Sequence, residues 1–265
     1  MKADAERSPP SNESRKADDK GTPPPLRAIP LRIWDRPTRI FHWLLALLFA
    51  LCYLSGDRGY FEIHLVAGQV LAILVLTRIL WGFIGSDSAL FRNFLRPPRE
   101  IVAYLSQSFL RSQPDRAIGH NPLGGLAVAL MLLLLSVHCA LGILAENVDG
   151  YASGPLSFLI DYEAALEAAK WHEETAQALL VLVALHLAAI AFHLLYKREN
   201  LTRAMLTGRA AIEPTAEGEA SGDGSTTHPS ITPPLRFVSD LRALILLILV
   251  ALSVFGGFAL AQRFL

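Results

Sequence analysis

Five apolar runs, each close to the length that crosses a bilayer, constrain this chain more than any other feature. A hydrocarbon core takes roughly 20 apolar residues per helix, and such runs occur at 39–54, 63–84, 123–144, 171–196 and 241–260. The first is long enough only when it starts in the Pro37–Thr38 turn. A soluble chain of 265 residues would spread its apolar residues at short period; here they make up 52% of the chain and are clumped. The expected fold class is an all-α integral membrane protein: a four-helix transmembrane bundle plus one extra C-terminal transmembrane helix.

Charge placement orients the bundle. Arg27, Arg32, Arg36 and Arg39 precede the first run, and Arg92, Arg96, Arg99, Arg111 and Arg116 separate the second from the third. Lys197, Arg198, Arg203 and Arg209 follow the fourth run, and Arg236 and Arg242 border the fifth. The remaining loops are acidic, with Asp57 and Glu62 on one and Glu146, Asp149, Asp161, Glu163 and Glu167 on the other. The positive-inside rule then puts the N-terminus in the cytoplasm and the acidic loops outside, as expected for a multi-pass protein of a bacterial inner membrane surrounded by lipid. Equal numbers of basic and acidic residues, 24 of each, give no support for nucleic-acid binding.

The expected organisation has four parts. Residues 1–30, polar and Pro-rich, read as a disordered cytoplasmic tail without a cleavable signal peptide. Residues 31–209 hold the four-helix domain, 210–236 a flexible linker, and 237–265 the additional helix. Asn121-Pro122 offers a cap followed by a first-turn proline, and an amphipathic surface helix is expected over 100–109.

Ligating side chains inside a bilayer are functional candidates by default. Of eight histidines, His228 lies in the linker, and His120 reads as a capping or interface residue at a helix entrance. His172 and His186 are separated by 14 positions on the fourth run. At ~100° per residue both point within about 40° of one direction, roughly 21 Å apart along the axis. One metal cannot use both; two stacked haems can, each taking one axial ligand from this helix. His64 lies at the depth of His172, giving an outer layer, and His42 lies on the side toward which His186 points, giving an inner layer. By depth alone His193 matches His42 better than His186 does, so it is the rival inner ligand; it is alternatively a proton-exchanging partner for a quinone headgroup. His138 reads as a hydrogen-bonded polar residue, with bonding to an outer haem propionate as the other reading.

Ala46, Gly68, Ala176 and Ala189 lie one turn from these histidines, leaving room for a flat cofactor. Arg78 follows His64 by 14 positions and so reaches the inner level on the same face. It either pairs with an inner haem propionate or snorkels to the interface. Arg39 has the same two readings. Cys52 and Cys139 are the only cysteines, and the absence of a C-x-x-C-H motif excludes covalent c-type attachment, leaving non-covalent haem b.

The runs Ile33-Trp-Asp-Arg-Pro-Thr-Arg-Ile-Phe-His-Trp43, Thr77-Arg-Ile-Leu-Trp-Gly82, Gly119-His-Asn-Pro-Leu-Gly-Gly125, Lys170-Trp-His-Glu173 and Lys197-Arg-Glu-Asn-Leu201 resemble the bacterial cytochrome b561 and nickel–iron hydrogenase b-type cytochrome family. The resemblance spans about 33–209 and is specific through the order and spacing of these motifs. It implies a four-helix core with two b haems that exchanges electrons with quinone, ubiquinone or menaquinone. Its ligand positions fall on His42, His64, His172 and His186, which raises His186 above His193.

The expected function is electron transfer in a respiratory membrane between a periplasmic redox partner and the quinone pool. That partner is a dehydrogenase or hydrogenase subunit or a c-type cytochrome. A variant is an enzyme in its own right that oxidises a small reductant outside. The rival class is a haem-free membrane anchor or small-solute or proton transporter, against which four histidines at two matched depths argue.

Overall fold

The computed structural model describes residues 29–108, 119–150, 152–212 and 235–264. Most of the expected N-terminal tail and most of the linker, His228 included, lie outside these residues. The chain divides into two units, Met1–Ile29 with Ala211–Ser230 and Pro30–Ala210 with Ile231–Leu265. Nearly all of the first unit is outside the described residues, and every described helix belongs to the second.

Helix α1 (Arg36–Asp57) begins where Asp35, in an extended conformation, accepts a hydrogen bond from the Thr38 N–H, with Pro37 in the first turn. A short turn with Gly59 at φ 72° leads into α2 (Phe61–Ile84). Two helices follow on the connection, α3 (Phe91–Phe94) and α4 (Pro98–Ser108), the latter matching the expected surface helix. Asn121 caps α5 (Pro122–Leu144) by accepting from the Gly124 N–H at 2.7 Å. Helix α6 (Tyr162–Phe192) continues into a π-helical turn, His193–Lys197, closed by Arg198 at φ 59°. The short α7 (Leu201–Thr207) follows, and α8 (Asp240–Ala261) completes the bundle.

Two features differ from the sequence expectation. α6 starts nine residues before the run at 171, so Asp161 is its cap and Glu163 and Glu167 lie on helix, not loop. The added turns hold four Ala with Glu163, Glu167 and Lys170, strong helix formers whose charges interrupt an apolar window. The two short strands β1 (Ile29–Arg32) and β2 (Arg209–Ile212) form a two-stranded sheet that periodicity did not indicate.

Among the described residues five helices have the length and composition to cross a membrane: α1, α2, α5, α8 and α6 with its π-turn. Leu47, Leu133 and Leu252 are each about two-thirds exposed, at 65%, 64% and 65%. Surfaces of this kind would drive association in water. Against lipid tails they match the solvent, and the helices satisfy their own backbone groups. The chain is a multi-pass membrane protein.

Helix α2 is central, touching α1, α5 and α8, while α5 and α6 pair on the far side. Cys52, Ala67, Leu71, Val75, Leu135 and Leu179 form the core shared by α1, α2, α5 and α6. A second cluster joins Phe41, Leu74 and Trp81 to Ala243 of α8. The segment before α8 is tied down as well: the Val238 N–H donates to Ser86 Oγ at 3.0 Å and the Arg236 N–H to Asp87 Oδ2 at 2.7 Å. The fifth helix, the expected addition to the four-helix bundle, packs against α2 and α1.

Candidate cofactor site in two layers

Two histidine pairs face each other across the bundle. His42, in the second turn of α1, has its ring centre 6.4 Å from that of His186 on α6. His64, in the first turn of α2, lies 6.0 Å from His172. A metal sits about 2 Å from an imidazole nitrogen and the ring centre roughly 1 Å behind it, so two imidazoles trans across one metal have centres roughly 6 Å apart. Both pairs have that spacing. Among the described residues no group of three or more His, Cys, Asp or Glu side chains could hold a metal ion by itself. An ion at either pair must bring its remaining ligands with it, as a haem iron does.

The His64–His172 layer is oriented by hydrogen bonds. His64 Nδ1 lies 2.8 Å from the Cys52 carbonyl and His172 Nδ1 lies 2.9 Å from the His138 carbonyl. A carbonyl only accepts, so each Nδ1 carries the hydrogen and each Nε2 is the nitrogen left to ligate. The His138 ring stacks on that of His172 at 3.9 Å and 11°. Its own Nδ1 meets Thr175 Oγ1 at 3.0 Å, and that hydroxyl donates back to α6 carbonyls. Gly142 completes the frame, because a Cβ there would stand 2.6 Å from His172 Cε1. Cys52, His64, Gly68, His138, Gly142 and His172 border one cavity, and a Cβ at Gly68 would meet nothing within 4 Å. The room expected beside His64 is present.

The His42–His186 layer has the opposite character. Thr38 Oγ1, Arg39 Nε, His42 Nδ1, Arg78 Nη1, Ser88 Oγ and His120 Nδ1 are all buried without a hydrogen-bond partner among the described residues. All six belong to the end of the bundle where α1 begins and α2 ends. A buried polar group left unsatisfied costs about 1–3 kcal/mol, so a cluster of them, mainly donors, fits a group rich in acceptor oxygens. Haem carries two carboxylates of that kind. Arg78 is 4% exposed, which removes the snorkelling reading: its guanidinium is inside the protein, 5.8 Å from the Phe91 ring centre. Arg39 is half-buried and donates through Nη1 to the Leu206 carbonyl.

His193 has a partner of its own. Its Nδ1 lies 2.9 Å from Glu199 Oε2, at the residue where the π-turn opens. His120 is no cap, since Asn121 performs that task. Its ring is held between Trp34 and Phe94, with centres 4.6 Å away on either side. Sequence reasoning missed this residue and also Asp35, which is fully buried and accepts from Trp81 Nε1 at 3.0 Å.

A family model described as prokaryotic cytochrome b561 matches residues 33–208, stopping short of α8. A probable Ni/Fe-hydrogenase B-type cytochrome subunit of Bradyrhizobium diazoefficiens is 25% identical over 66% of this chain and 84% of its own length. The corresponding protein of Azotobacter chroococcum is 26% identical over 66% of this chain and 86% of its own length. A probable Ni/Fe-hydrogenase 1 B-type cytochrome subunit of Escherichia coli K12 is 24% identical over 49% of this chain and 67% of its own length. No solved structure matches the chain.

Proposed function

Because the chain belongs to the prokaryotic cytochrome b561 family, and is thus a membrane b-type cytochrome serving electron transfer, we propose that it links a periplasmic redox partner to quinone through two bis-histidine haems b. The observation that carries this reading is the pair of imidazole spacings, 6.4 and 6.0 Å, at two levels of one bundle. Haem iron held by two imidazoles would supply reversible one-electron redox chemistry. The protein's part is to hold four imidazoles and to offset propionate charge in a medium of low dielectric.

In this reading His42 and His186 would hold the inner haem and His64 and His172 the outer. Arg78, with Arg39 at the rim, receives inner propionate charge. The inner layer is cytoplasmic, because the basic residues Arg198, Arg203 and Arg209 follow α6 at that end. The outer end carries Glu146, Asp149, Glu163 and Glu167, a field that favours a basic periplasmic partner. The relatives' names make a nickel–iron hydrogenase the leading candidate for that partner. At the inner end His193, held by Glu199, is the group suited to exchange a proton with ubiquinone or menaquinone.

Purified protein is expected to show a b-type reduced-minus-oxidised spectrum and two haems per chain by pyridine haemochrome. His64→Ala and His172→Ala should each lose one haem, the same one, and His42→Ala and His186→Ala the other. A haem-free protein expressed with ample haem would instead support a simple membrane anchor or transporter. His193→Ala is expected to keep both haems while slowing quinone reduction. If it removed the inner haem and His186→Ala spared it, the inner ligand would be His193.

A further inference from the structure

The inner layer contains a histidine that the haem-ligand reading does not use. His120 sits just ahead of α5, its ring clamped between Trp34 and Phe94 at 4.6 Å each, with Nδ1 buried and unpartnered among the described residues. Phe94 touches Phe91 at 5.6 Å, and the Arg78 guanidinium lies 5.8 Å over the Phe91 ring. An aromatic wall thus runs from Arg78 to His120. Burial first, and then the charges of Arg78, His186 and His42, push His120 down to about 3, so it is a neutral imidazole with one N–H to donate.

Arg78 lacks a committed anion. Asp35 acts on it electrostatically, yet that carboxylate already accepts from Trp81 Nε1 and from the Thr38 N–H. A buried guanidinium stays charged, and an unpaired buried charge is strongly destabilising. A second anion beside Arg78 would remove that penalty, and a neutral N–H donor beside it would bind the remaining oxygen without adding charge.

We propose that Arg78 and His120 together form a carboxylate site for a propionate of the inner haem, with His120 as a positioning residue. The proposal rests on the haem reading above and adds to it a residue outside the ligand set. A propionate whose charge is offset raises the potential of its iron; a propionate stripped of a donor stabilises the ferric form and lowers it.

The test is a spectroelectrochemical titration of the purified dihaem protein, in which the outer haem serves as internal reference. His120→Phe keeps the ring packing and removes the N–H; the inner wave is expected to fall by an equilibrium factor on the order of tenfold, about 59 mV for one electron, with the outer wave in place. His120→Gln keeps a donor and is expected to restore most of the shift, which a purely structural role for the ring would not do. Unchanged inner waves in both variants overturn the proposal. So does loss of an inhibitory quinone analogue's effect while both waves stay in place, because the acceptor is then a neutral carbonyl. The haem reading fails separately, through the haem counts of His42→Ala and His186→Ala.

Discussion

Gly142→Ala is expected to remove the outer haem while leaving the inner one. The new methyl would stand 2.6 Å from His172 Cε1 and 2.9 Å from its Nδ1, inside any permitted contact. The His172 ring cannot yield without losing its anchor, because Nδ1 is bonded to the carbonyl of His138, one turn before Gly142 on the same helix. Moving the ring breaks that bond and swings Nε2 away from His64. Overpacking of this kind costs typically about 1–3 kcal/mol, but loss of ligand geometry is the larger effect. Haem stoichiometry should fall from two to one, with the spectrum of the remaining haem matching that left in His172→Ala. Gly256→Ala on α8, where a Cβ meets nothing within 4 Å, is the control. It should keep both haems and gain up to about 1 kcal/mol of helix propensity. Two full haems in Gly142→Ala would mean that the His172 ring does not sit where the ligand role requires.

Much of this architecture was legible in the sequence because a bilayer simplifies the code. A spanning helix needs only a long apolar window, and helical repeat alone places His172 and His186 on one side of α6. The outer partners followed from depth and the inner ones from the direction of His186 and the family resemblance, since depth alone favoured His193; the structure brings His42 to His186 and His64 to His172. The anchors were not legible. The carbonyls of Cys52 and His138 hold two of the imidazoles, and every residue has a carbonyl, so nothing in the letters marks these two. His120 was misread for a different reason. The motif around it contains a real cap, Asn121, and what makes His120 distinctive is contact with Trp34 and Phe94, which come from distant parts of the chain. Likewise the first nine residues of α6 carry Glu163, Glu167 and Lys170 among four alanines, and their propensity, not their hydropathy, announces a helix.

Asp35→Ala should be the most destabilising single change away from the histidines. The carboxylate is fully buried and serves two elements at once. Oδ1 accepts from the Thr38 N–H at 3.3 Å and starts α1, while Oδ2 accepts from Trp81 Nε1 at 3.0 Å and fastens α1 to α2. Trp81 is 1% exposed, so its indole N–H has no water to turn to. Losing the cap costs about 1 kcal/mol and orphaning the indole about 1–3 kcal/mol, a sum of roughly 2–4 kcal/mol before any effect on Arg78. Asp35→Asn separates the parts, because an amide has one acceptor oxygen and can serve Thr38 or Trp81 but not both; its loss should be near half. Thermal unfolding in detergent, followed by Trp fluorescence and by release of haem, measures each. The inner haem should be released at lower temperature than the outer in both variants, since Asp35 lies beside Thr38, Arg39 and Arg78 and far from His64. A melting curve for Asp35→Ala that overlays that of the unaltered protein would show that the buried carboxylate does not join the two helices.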